Sequence, residues 1–163
     1  MLGSARLFLF TVAALLLQVT VLPAYLRDPF KPNLILVLIV YLALRVDMTL
    51  AGGVLAYLLG LVNDAYSGIF QGLSGLSYLF IYAVLRKIAD QLYADSTHLL
   101  VIVVFVATVV NGLLQLVLLQ MFSAADGVYA TLLTSLIPQA LVNALVASLL
   151  AGLIIIAPTE DKR

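Results

Sequence analysis

The sequence predicts an all-α integral membrane protein with six transmembrane helices in one bundle. Three observations predict it. Hydrophobic residues make up 64% of the chain and charged residues only 10%, where a soluble domain carries about a quarter charged residues. The apolar runs are continuous rather than alternating, so they read as helices and not as barrel strands. Lipid offers backbone groups no partners, so each crossing segment must satisfy its own, as a helix does. Eight basic and eight acidic residues cancel, so no net charge draws the chain to nucleic acid. The lack of cysteine excludes disulfides, thiol catalysis and thiolate metal sites, and a single histidine, His98, leaves little for a metal.

The elements follow in order. The first run, Leu7 to Leu26, follows Arg6 and bends or ends near Pro23. It has the outline of a signal peptide, but no small-x-small cleavage pattern follows, so it is expected to remain as a helix. Leu34 to Leu44 and Met48 to Val62 are each shorter than the ~20 residues of a full span. Joined as one tilted helix, they would put Arg45 and Asp47 near mid-bilayer, at roughly 2.5–3.5 kcal/mol per charge. A tight hairpin turning at Arg45–Met48 avoids that cost and is the preferred reading. Gly72 to Leu85 comes fourth, then Leu99 to Phe122 and Leu132 to Ile156, both long enough to span. With the N-terminus inside, six spans put Arg6, Arg45, Arg86, Lys87, Lys162 and Arg163 in the cytoplasm, and Arg27 and Lys31 outside. That obeys the positive-inside rule. A five-span arrangement with its N-terminus outside obeys it too. Both place Arg86 to His98 and the C-terminus in the cytoplasm, the former as a solvated loop of mixed charge.

Few residues offer chemistry. Gly72-Leu73-Ser74-Gly75 echoes the serine motif of intramembrane proteases, but a serine nucleophile needs a base beside it. His98 falls on the opposite side of the membrane, so the motif reads as helix packing. No phosphate loop, metal cluster or dinucleotide fingerprint occurs, and no catalytic residue and no cofactor are expected. Asp64 follows an apolar helix and precedes Tyr66-Ser67-Gly68. It reads as a helix-end or turn residue, or as one lining an outward pocket or meeting a partner. Asn111 and Gln115 are four apart and share a helix face, as do Gln139 and Asn143. In an antiparallel hairpin centred on Gly127, Asn111 stands opposite Asn143 and Gln115 opposite Gln139. These amides join the last two helices, face a third helix, or line a ligand pocket. Gly52, Gly53, Gly60, Gly68 and Gly72 form a small-residue surface around the third and fourth helices, suited to the close approach of a partner helix.

One segment resembles a known family. Pro32-Asn33-Leu34 opens a run ending in Tyr41-Leu42-Ala43-Leu44, with Gly52, Gly53 and Gly60 after it. Gly60-Leu61-Val62-Asn63-Asp64 follows, then Ser67-Gly68 and Gly72-Leu73-Ser74-Gly75-Leu76. The pattern resembles MreD, the small membrane subunit of the bacterial rod-shape machinery, the elongasome. It is clearest over Pro32 to Leu79, and Asn33 stands where many members carry aspartate. The resemblance implies a non-catalytic scaffold of the bacterial cytoplasmic (inner) membrane with both termini in the cytoplasm. It would bind MreC and work with RodA, a class B penicillin-binding transpeptidase and MreB in lateral peptidoglycan synthesis and rod cell shape. It also implies a fold similar to the substrate-binding subunits of energy-coupling-factor transporters. The alternative is therefore a small-molecule-binding subunit of a vitamin-type transporter, with Asp64, Asn111, Gln115, Gln139 and Asn143 as pocket groups. Such subunits carry Ala-x-x-x-Ala in the first helix, whereas Ala13 and Ala14 are adjacent here. The scaffold reading is preferred, with the MreC transmembrane helix docking near Gly52–Leu76.

Overall fold

A computed structural model describes residues 4–26, 30–45, 49–67, 71–89, 91, 96–122 and 128–156. Among them are six helices and no strand. Helix α1 runs as an α-helix over Ser4–Leu16, widens to a π-helical turn at Leu17–Val21 and closes with Leu22–Tyr25. The widening has a local cause. Pro23 has no N–H to return to the preceding turn, and the Leu22 N–H reaches back to the Leu17 carbonyl instead. The Thr20 hydroxyl donates to the Leu16 carbonyl within the same turn. Leu26 then leaves the helix in an extended conformation.

Helix α2 is Leu34–Arg45, α3 is Thr49–Ser67, α4 is Leu73–Ala89, α5 is Thr97–Phe122 and α6 is Val128–Ile156. Asn33 starts α2: its Oδ1 accepts the Leu36 N–H at 3.1 Å, an N-cap bond that satisfies one of the free donors of the first turn. The turn expected at Arg45–Met48 lies outside the described residues beyond Arg45, which is the last described residue of α2. α3 runs past Val62 to Ser67, because Asn63 and Asp64 find partners inside the protein. Pro138 lies inside α6 without ending it.

α2 is the centre. It packs against each of the other five helices, and Ile35, Leu36, Ile39, Val40 and Ala43 are fully buried. α3 with α4 and α5 with α6 form two extensive antiparallel hairpins, and α4 also packs on α5. Gly60 lies against the backbone of Gly75, and Gly52 lies under the Tyr82 ring. In the second hairpin Leu136 is seated on Gly112. α5 and α6 contain stretches long and apolar enough to cross a membrane, His98–Met121 and Leu132–Gly152. Large apolar side chains also face outward at regular spacing, such as Ile102 and Val106 on α5 and Leu141, Leu145 and Leu149 on α6. In lipid such a surface has no water to avoid, so helices are matched by shape and hydrogen bonds rather than by hydrophobicity.

Candidate functional site

A cluster of buried polar side chains lies where α2 and α4 begin. Gly72 adopts φ +96°, a conformation that favours glycine, and turns the chain into α4. The first N–H groups of α4 then face the end of α3. There the Asp64 carboxylate accepts from the N–H of Gly72 at 2.9 Å, of Ser74 at 2.9 and 3.1 Å and of Gly75 at 3.4 Å. Asp64 is 2% exposed. A charge so buried must be matched, and the positive end of the α4 dipole with its unpaired donors matches it.

Amides extend the cluster. Asn63 Nδ2 donates to Ser74 Oγ at 3.3 Å, and Gln115 Nε2 donates to the same oxygen at 3.4 Å. Gln18 enters from the π turn of α1. Its Oε1 accepts the Leu34 N–H at 2.6 Å, and its Nε2 donates to Asn33 Oδ1 and Asn63 Oδ1, both at 3.4 Å. Asn33 Nδ2 donates to Tyr78 Oη at 2.7 Å, and the Asn33 N–H donates to Asn143 Oδ1 at 2.7 Å. Asn143 Nδ2 in turn donates to Thr108 Oγ1 at 3.0 Å, whose hydroxyl donates to the Val104 carbonyl at 2.8 Å. All six helices contribute to this polar core. At 1.5 Å per residue, Asn143 lies about 22 Å along α6 from Val128. The start of α2 is therefore recessed beside the middle of α6.

The structure separates the residues expected from sequence. Asp64 caps α4 across the intervening turn, and Asn143 and Gln115 belong to the network. Asn111 is buried beside it, and Gln139 is half-buried on α6. The expected pairs do not form: Asn143 bonds Thr108 and Asn33, and Gln115 bonds Ser74. Asn143 meets Thr108, three residues or about one turn along α5 from the expected Asn111. The glycines are placed differently from the expected partner surface. A Cβ at Gly52 would strike Tyr82, one at Gly53 would touch Leu79, and one at Gly60 would strike Gly75. At Gly52, Gly53 and Gly60, α4 fills the notches that a partner helix was expected to fill. Gly72 serves the turn, and Gly68 lies outside the described residues.

Sequence reasoning passed over Gln18, Tyr78 and Thr108, and took Asn33 and Asn63 for their places in a family pattern alone. Gln18 had a signal, being an amide inside an apolar run, where polar groups seek partners. Tyr78 had none, since an aromatic residue in a span reads equally well as lipid-facing.

The core's chemistry is limited. Ser74 Oγ meets two amides, and His98 is exposed at the other end of α5, roughly 25 Å from Gln115 by helix rise. Among the described residues no group of three or more His, Cys, Asp or Glu side chains is placed to hold a metal. A cavity of about 220 Å³ lies elsewhere, between α1, α2, α5 and α6, with Phe10, Ala13, Leu17, Val37, Tyr41 and Leu150 in its wall. None of the clustered amides lines it.

Helices with apolar exteriors gathered around a hydrogen-bonded core of amides and one capping carboxylate define a helical membrane protein with a polar interior. The model of the family described as rod shape-determining protein MreD matches residues 3–156. The chain belongs to the MreD family, membrane proteins of bacterial rod-shape determination. No curated protein and no solved structure matches it.

Proposed function

We propose that this protein is a non-catalytic subunit of the elongasome. It binds MreC and supports lateral peptidoglycan synthesis by RodA and a class B penicillin-binding transpeptidase, in concert with MreB. The observation that carries this reading is membership of the MreD family over nearly the whole chain. The arrangement of polar groups supports it: they bond to one another, which leaves apolar helix faces as the contact surface. The protein sits in the bacterial inner membrane with six spans and both termini in the cytoplasm, in a bundle similar to the substrate-binding subunits of energy-coupling-factor transporters. The distribution of Lys and Arg supports that orientation. The polar core then lies toward the periplasmic half.

The MreC transmembrane helix docks on the α3–α4 hairpin. Since α4 fills the glycine notches, the contact is made by the outward stripe of α3, where Leu50, Val54, Leu58, Val62 and Tyr66 recur every fourth residue and are exposed. The chain has no cysteine, so single cysteines along this stripe can be cross-linked to MreC in native membranes. Cross-links at the stripe and none at Ile102 or Val106 are the expected result. A silent α3 with strong cross-links on other helices moves the docking site. No cross-link anywhere, with no MreC co-purifying in mild detergent, overturns the function.

A further inference from the structure

The hydrogen bonds of the polar core leave several groups on α4 and α5 unmatched. Asn111 Oδ1 and Ser77 Oγ are buried without a protein partner, and their residues are 5% and 1% exposed. Tyr78 Oη and Ser74 Oγ accept hydrogen bonds, but neither donates one among the described residues. The side therefore carries three hydroxyl protons without acceptors and one amide oxygen without a donor.

Register brings these groups to one level by two independent routes. Gln115 meets Ser74, and α4 and α5 run antiparallel. One turn along each helix from that contact brings Asn111 beside Ser77 and Tyr78. The second route runs through the other helices. Tyr78 is tied by Asn33 to Asn143, and Asn143 is tied to Thr108, which lies one turn from Asn111 on α5.

We propose that this level of the α4–α5 seam binds a water molecule, which accepts from the Ser77 or Tyr78 hydroxyl and donates to Asn111 Oδ1. The chemistry selects water. The ligand must both accept and donate, and it must be small enough to sit between two packed helices. Buried waters characteristically satisfy two to four polar groups left over by the protein. A cation would find one amide oxygen and a few hydroxyls, and an anion would sit about a turn from the Asp64 carboxylate. The water joins α4 to α5 through an exchangeable group rather than a direct bond.

Infrared difference spectroscopy of the full-length protein, exchanged between ordinary and ¹⁸O-labelled water, tests this. The wild type is expected to show an isotope-sensitive O–H stretch of an isolated bound water. That band is lost in Asn111→Leu and shifted or lost in Ser77→Ala. Ser77→Ala changes volume least, so with circular dichroism to verify its helix content it carries the test if Asn111→Leu does not fold. A wild type without such a band overturns the proposal in favour of a direct Ser77–Asn111 bond. A band unchanged in Ser77→Ala and in every folded Asn111 variant overturns it as well.

Discussion

In the α3–α4 hairpin, two helices approach until Gly60 lies on the backbone of Gly75, and a buried carboxylate closes the end. In the α5–α6 hairpin the glycine Gly112 is met by a Leu136 side chain, and Asn143 bonds Thr108. Both hairpins are built from apolar helices, yet they differ in what can yield. Backbone meeting backbone has no rotamer to change, and a charge below the surface must keep its donors. A leucine can turn, and an amide can find another partner. The difference shows how a bundle is specified where lipid removes hydrophobic contrast: one hairpin by rigid shape and charge, the other by adjustable side chains.

The same substitution at the two glycines gives the sharpest contrast. Gly60→Ala drives a Cβ into the Gly75 and Ser74 backbone, and is expected to cost about 3 kcal/mol or more of stability. Unfolding in detergent measures it, with loss of the monodisperse peak as the extreme result. Next comes Asp64→Ala, which leaves the N–H groups of Gly72, Ser74 and Gly75 without their acceptor. A loss of about 3 kcal/mol is expected, with Asp64→Asn intermediate. If Asp64→Ala melts like the wild type, the carboxylate is not what closes α3–α4.

Asn143→Leu removes two hydrogen bonds and strands the Asn33 N–H at the start of α2. About 2 kcal/mol is expected, and no change at all would remove this amide from the bundle's stability. Gly112→Ala is the mildest. Its Cβ meets the end of the Leu136 side chain, which can move aside, so about 1 kcal/mol is expected. A Gly112→Ala cost equal to that of Gly60→Ala would erase the distinction between the hairpins.

Legibility in the sequence followed the physics of each feature. The apolar runs marked the helices, since a run of that composition has no other stable state in lipid. Ends were less clear: α3 runs on to Ser67 although Asn63 and Asp64 look like a terminus, because their partners belong to α1 and α4. The α5 and α6 amides were visible, but their pairing was not. A helix apolar on nearly every face carries no phase to say which way an amide points, and the register is set by contacts between the helices, Leu136 on Gly112 and Asn143 to Thr108 among them. The glycines were legible as sites of close approach, while the identity of the approaching helix was not.

The sequence by itself determined the helical membrane class, the approximate helices and the family, because composition and run length leave lipid-embedded backbone little choice. Only the tertiary structure decided that Asp64 caps α4, that Gln18 and Asn33 join the amides in one core, and that Gly52, Gly53 and Gly60 are filled from within. Each of these depends on groups from different helices meeting at one depth, and no local pattern in the chain encodes that meeting.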